Sequence, residues 1–339
     1  MRSIRGFAGA FALLLVAGGL SVSAQSWQVM KTLPIGGEGG WDYVTVDAST
    51  HRLFVTRTTH TMVIDADSGK TLGDIPGQKT AHGVAIVPRL NRGFITDGGG
   101  SGAIIVFDLT TYATLGRLET LPDTDGIIYD PGTNLVLASA GDSNALVVVK
   151  ADVDPKNGKM DAPIMLGGGP EFLAADGHGK VYVNLEDKNV VAEVDLNSRQ
   201  VVNRWPVAPG GKPVGLAMDA AKRRLFIGCR DPQKLVVMNA DSGKIEASLP
   251  IGAGVDATGF HKGKAFASCR DGSLTVAGEK DGAFAVEQTV KTPLGARTLG
   301  LDKENEKIYL PTAEFEAATG GGRPKAKPGT FQIVVVGKQ

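Results

Sequence analysis

Sustained helical periodicity is what this sequence most plainly lacks: no segment keeps apolar residues on a 3.6-residue spacing long enough to make a helical layer, which excludes bundles and wound α/β folds. After residue 24 no run is long and apolar enough to cross a bilayer. A basic excess is missing as well. The chain carries 36 Lys and Arg against 36 Asp and Glu, and without Arg2 and Arg5 of the leader the balance falls to −2. That balance speaks against a general binder of nucleic acid or anionic membranes, which normally shows a basic surplus or stripe. The motifs of several chemistries are absent: no nucleophile elbow, HExxH, CxxCH, P-loop or dinucleotide fingerprint occurs. The two cysteines, Cys229 and Cys269, occupy equivalent places in adjacent repeats. There their Cα atoms are expected to lie roughly 9–10 Å apart, beyond disulfide reach, so both are expected as thiols.

What is abundant is glycine, 46 residues of it, and short β-rich runs separated by turn residues. One run recurs throughout: Leu53-Phe54-Val55-Thr56, Gly93-Phe94-Ile95-Thr96, Leu135-Val136-Leu137-Ala138, Val181-Tyr182-Val183-Asn184, Leu225-Phe226-Ile227-Gly228, Ala265-Phe266-Ala267-Ser268 and Ile308-Tyr309-Leu310-Pro311. The spacing is 40 to 46 residues, and each repeat has room for four short strands, the signature of propeller blades. The sequence therefore predicts an all-β, seven-bladed propeller of four-stranded antiparallel blades, one domain over residues 25–339. The last repeat ends without a fourth strand. Gln28 to Pro34 matches the fourth strand of the fifth repeat, Glu246 to Pro250, so an N-terminal strand is expected to complete the last blade and close the ring. Residues 312–329, rich in Gly, Ala, Pro and Lys, read as a flexible insertion in that blade, with Glu314 and Phe315 near its base and Arg323, Lys325 and Lys327 supplying charge.

Residues 1–24 have the grammar of a secretory signal: Arg2 and Arg5, an apolar stretch from Phe7 to Leu20, then Val22-Ser23-Ala24 before Gln25. Export to a periplasmic or extracellular location is the expectation.

Val181-Tyr182-Val183-Asn184, followed by Asn189 to Asp195 as the next strand, resembles the repeat of the YVTN-repeat, or YncE-like, family of exported seven-bladed propellers. The likeness extends over the mature length, and fragments such as Gly40-Trp41-Asp42-Tyr43 and Gly295-Ala296-Arg297-Thr298 are similar to an uncharacterised branch of it. The resemblance implies fold more than activity, because propellers host binding proteins, lyases, lactonases and redox enzymes alike. Some YncE-like propellers are associated with DNA, which the charge balance here disfavours.

In a propeller the residue entering the first strand of each blade faces the central funnel. Counting back from the Asp that ends that strand, or from the second-strand run, gives Asp42, His82, Asp125, Glu171, Val214, Asp256 and Arg297. Carboxylates crowded there repel unless a cation, a raised pKa or the Arg297 guanidinium relieves them. Asp42, His82, Asp125, Glu171 and Asp256 are thus candidate ligands for a divalent cation, with Ca, Mg, Mn and Zn all compatible with oxygen ligands and one imidazole. A single histidine at these positions counts against copper or iron. Trp41 and Arg297 join them as candidate contacts for a polar small ligand, Trp41 as a stacking surface. The leading expectation is an exported, monomeric propeller that binds a polar small ligand, a divalent cation or a partner protein at the funnel mouth, non-catalytic in character. The alternative is a metal-dependent hydrolase, lactonase or lyase using the same carboxylates, His82 and Arg297.

Overall fold

The computed structural model describes residues 26–317 and 324–339. Residues 1–24, expected to be a secretory signal, and Arg323 lie outside the described residues. All the extended structure is antiparallel, and among the described residues the helical turns are three-residue 3-10 segments.

The strands form six hydrogen-bonded sheets, which corrects the expectation of seven four-stranded blades. Five sheets have four strands. The first, from Val44–Asp47 to Thr114–Glu119, has six, because two of its strands are long: Arg52–Asp65 runs 14 residues and Thr71–Val87 runs 17. Two repeats fuse here for a local reason. Thr71–Val87 runs unbroken from the outer strand of the first repeat into the inner strand of the second, and Arg57-Thr58-Thr59-His60, between the second and third strands of the first repeat, contains none of the Gly, Asn or Asp that breaks the equivalent place in the next repeat at Gly98-Gly99-Gly100. The chain instead bends within the strand, with Thr58 at a positive φ of 49° and Gly77 at 95°, and Thr58 pairs with Ala81 across the register break. Phe54 and Phe107, from the second and fifth strands of this sheet, pack with ring centroids 5.6 Å apart, and Val63, Ile75, Val84 and Ile95 are buried in the same cluster between its halves.

The chain ends meet in the sixth sheet, in which Trp27–Pro34 pairs antiparallel with Gln332–Lys338, followed by Lys307–Thr312 and Gly300–Asp302. This pairing completes one sheet and links no sheet to its neighbour, so closure of the ring by the N-terminal strand is not what these hydrogen bonds show. The apolar core lies between successive sheets, with Val181, Val183 and Val194 packed against Leu137, Leu146 and Val148 as one example. Cys229 and Cys269 are buried free thiols, and burial pushes both up to about 12, which keeps them protonated and unreactive.

The innermost strand of several repeats is anchored at its far end by an aspartate that caps the following turn. Asp47 accepts from Ser49 and Thr50, Asp130 from Thr133, and Asp302 from the backbone of Glu304 and Asn305. Between these caps and the mouth runs a cavity of about 480 Å³ lined largely by apolar side chains, among them Val46, Ile86, Ile128, Met218, Phe260 and Leu301.

Candidate functional site

The residues that enter the inner strands are fixed by a device the sequence shows only indirectly. The last residue of several second-strand runs is polar among apolar neighbours, and its side chain reaches the backbone of a mouth residue in the adjoining repeat. Thr56 Oγ1 donates to the His82 carbonyl at 2.6 Å, Thr96 Oγ1 to the Asp125 carbonyl, Asn184 Nδ2 to the Val214 carbonyl at 2.8 Å, and Ser268 Oγ to the Arg297 carbonyl. Thr298 Oγ1 completes the pattern on the Asp42 carbonyl at 2.8 Å. Each bond is buried or nearly so, and each holds a Cα at the rim. Thr96→Val keeps the shape and removes the donor that holds Asp125. It is expected to cost about 1–2 kcal/mol of unfolding free energy in a urea titration. A change within error would show that the bond does not position the rim.

Three of the mouth side chains come together. Single ligating atoms of Asp42, His82 and Asp125 all lie within 4.8 Å of one another. His82 Nδ1 is 2.8 Å from Asp42 Oδ2 and 3.4 Å from Asp125 Oδ1. Its Nε2 is buried without a partner, against Gly98, where a Cβ would approach it to 2.9 Å. Gly98 therefore leaves room for the imidazole.

The electrostatics of His82 and Asp125 are strongly perturbed. Burial disfavours the His82 cation, but its hydrogen bond to the Asp42 carboxylate and the charges of Asp125, Asp42 and Asp123 prevail and raise it to about 9. Asp125 is lifted to about 7, chiefly by burial, with His82 opposing and Asp42, Asp123 and Asp256 adding to the rise. Glu171 reaches about 8, again by burial first, then by the charges of Asp125 and Glu186. Tyr43, whose ring packs 4.7 Å from that of Phe172, is pushed well above its ordinary value by burial and by the surrounding carboxylates. Sequence reasoning passed over Tyr43, although its place directly after Asp42 was the available signal.

Asp256 stands differently. It is 8% exposed and divides its oxygens between Arg230 Nη2 and Arg297 Nε, the latter at 2.6 Å. Arg230 also reaches Glu186 at 3.4 Å and the Val255 carbonyl at 3.1 Å. The structure thus places Asp256 and Arg297 in an ion-paired arc beside the Asp42, His82 and Asp125 group, with Glu171 facing both through its charge interactions. Val214 is buried and brings no charge. Arg230 belongs to Cys229-Arg230-Asp231, a triplet that recurs as Cys269-Arg270-Asp271 in the next repeat. Asp271 of the second triplet accepts from the Ala253 backbone N–H at 2.7 Å.

Trp41 sits on the rim, half-buried, with its ring 5.3 Å from Phe331 and 6.2 Å from Phe315. Behind it Arg57, 1% exposed, holds the preceding loop. Its guanidinium donates to the carbonyls of Gly36, Glu38, Gly39 and Gly40 at 2.8–3.1 Å and lies 4.0 Å from the Phe331 ring centroid. Burial lowers Arg57 to about 10, with Glu38 opposing, and it stays charged at neutral pH. The stems of the 312–329 segment pair through a Phe315–Ala326 bridge, with Glu316 N donating to the Lys325 carbonyl and Lys327 Nζ 3.1 Å from Glu314. His60 is 3.7 Å from Asp74, away from the central group.

Comparison with known proteins bears on the fold. The chain matches no protein-family model, and no curated relative matches it. Among solved structures it is similar to the WD40 repeats of RRP9, at 10% identity and a TM-score of 0.77 over 92% of this chain and 100% of that one. It is also similar to hydrazine synthase of Kuenenia stuttgartiensis, at 13% identity and a TM-score of 0.66 over 82% and 92% of the two chains. At such identities the likeness shows a β-propeller and nothing about chemistry.

Proposed function

We propose that this propeller is a binding protein whose mouth takes up a divalent cation at Asp42, His82 and Asp125, and through it a polar small ligand. The observation that carries the reading is the convergence of two carboxylates and one imidazole, from three separate strand entries, on a volume 4.8 Å across. Three ligands of this mixture suit Zn or Mn better than Ca, which usually wants six to eight oxygens, and they leave coordination positions for a ligand. Glu171 and Tyr43 then stand beside those positions as hydrogen-bonding partners for what the cation holds. The cation displaces the His82 proton and relieves the repulsion among Asp42, Asp125 and Glu171.

The experiment is native mass spectrometry with elemental analysis of protein purified without chelator, beside an Asp42→Asn/His82→Ala variant. Stoichiometric metal, lost in the variant, is the expected result. Bare protein in both, still bare after titration with Zn and Mn, overturns the cation and moves the search to partner proteins.

Asp125 at about 7 and Glu171 at about 8 favour a second reading, because carboxyls held near neutrality beside an open cation are suited to general acid–base work in a hydrolase, lactonase or lyase. Turnover of an ester or lactone that disappears both with chelator and with Glu171→Gln supports it. Affinity with the YVTN-repeat, YncE-like propellers belongs to the same proposal, as does export as a monomer. N-terminal sequencing that begins at Gln25 in the secreted fraction is its direct check, and an intact Met1 in that fraction opposes it.

A further inference from the structure

Beside the mouth, on the outer side of Arg297, lies a cavity of about 320 Å³ walled by Trp41, Leu294, Phe315 and Pro324, with Arg270 and Arg297 on its polar side. We propose that it is the seat of a small carboxylate with an aromatic or alicyclic body. The volume is that of a small-ligand pocket and has room for roughly ten non-hydrogen atoms, at the ~30 Å³ that a water occupies.

Its chemistry is one-sided. Among the described residues that line it, no carboxylate, amide or hydroxyl side chain faces the occupant, and the charged groups are both guanidinium ions. Arginine donates and cannot accept, so the group of the occupant that meets Arg297 brings acceptors, and a planar carboxylate matches the fork of that guanidinium. Arg297 is oriented for this: Asp256 engages its Nε at 2.6 Å, which aligns the plane of the group and leaves the Nη edge as the one a second carboxylate meets.

The opposite wall is aromatic by construction. Phe315 lies over Gly295, whose φ is +79° and where any Cβ would come within 2.5 Å of the Phe315 ring. Only glycine lets that ring approach so closely, and the ring packs beside the Trp41 indole, centroids 6.2 Å apart and tilted 56°, so that the two form one continuous aromatic wall. Leu294, 52% exposed and out of place on a water-facing surface, gains cover when the cavity is filled. The site shares Arg297 with the mouth and needs no cation there.

The test is saturation-transfer NMR with calorimetric titration of the whole protein, using 3-phenylpropanoate as probe and its neutral amide and acetate as controls. Saturable binding of 3-phenylpropanoate is expected, at least about tenfold weaker for the amide, for acetate and for the Phe315→Ala protein, and retained in Asp42→Asn/His82→Ala. Retention in that double variant separates this site from the cation site. An unchanged melting temperature in Phe315→Ala shows that its loss of affinity is local. The inference is overturned if no saturation is reached by about 10 mM, if the amide binds as well as the acid, or if Phe315→Ala leaves affinity unchanged.

Discussion

Arg57→Leu is expected to destabilise the protein by on the order of 2–4 kcal/mol. The guanidinium is buried, and four backbone carbonyls of the 36–40 loop share its donors. Leucine fills part of the volume but returns none of those bonds, and it forfeits the contact with the Phe331 ring. The loop so released carries Trp41 and Asp42, so two effects should travel together: a lower urea midpoint and weaker metal uptake. Arg57→Lys keeps the charge yet cannot span four carbonyls, and should fall between wild type and leucine. Equal midpoints for all three proteins would mean that the loop is held by something other than this clasp.

Glu171→Gln is expected to act in the opposite direction, and only at high pH. Glu171 is raised from 4.5 to about 8 in the fold, so the folded state holds its proton more tightly than the unfolded chain. The stability linked to that proton is fully present below about pH 4.5 and is lost as pH climbs through 8. Asp125, raised to about 7, and His82, raised to about 9, carry the same sign. The mouth as a whole therefore makes the metal-free wild type less stable between about pH 4 and 9. Glutamine mimics the protonated acid. The variant should match wild type at about pH 4 and exceed it by on the order of 1–3 kcal/mol at about pH 9, measured by chemical denaturation in chelator. A difference that does not change with pH would show that burial of the Glu171 charge is not the cause.

How much of this could be read from the sequence differs between fold and site. The propeller was legible because each repeat states its own strands and turns: the apolar runs are the buried second strands, and the aspartates that follow the inner strands do cap turns. The sheet count was not, because the first two repeats are joined through the single strand Thr71–Val87, and the bend at Thr58 with its pairing to Ala81 carries the ladder on where a Thr-Thr-His segment leaves no turn residue to count. The meeting of Asp42, His82 and Asp125 was legible as positions and not as distances. Register placed all the mouth residues on one rim, but side-chain reach decided that Asp256 turns to Arg230 and Arg297 while the other three converge. The clasp by Arg57 was hidden, since nothing in a Thr-flanked arginine announces four carbonyl partners. The hydroxyls of Thr56, Thr96 and Ser268 were in plain view as polar endings of apolar runs, and their meaning appears only when the adjoining strand is in place.

The central claim is that Asp42, His82 and Asp125 form a cation site, and the most direct measurement is anomalous diffraction from crystals of the protein soaked in Mn, then in Zn. The account predicts one strong peak within bonding distance of an oxygen of Asp42, an oxygen of Asp125 and Nδ1 of His82, absent from Asp42→Asn/His82→Ala crystals. A mouth without a peak under both metals, with His82 still hydrogen-bonded to Asp42, would contradict it.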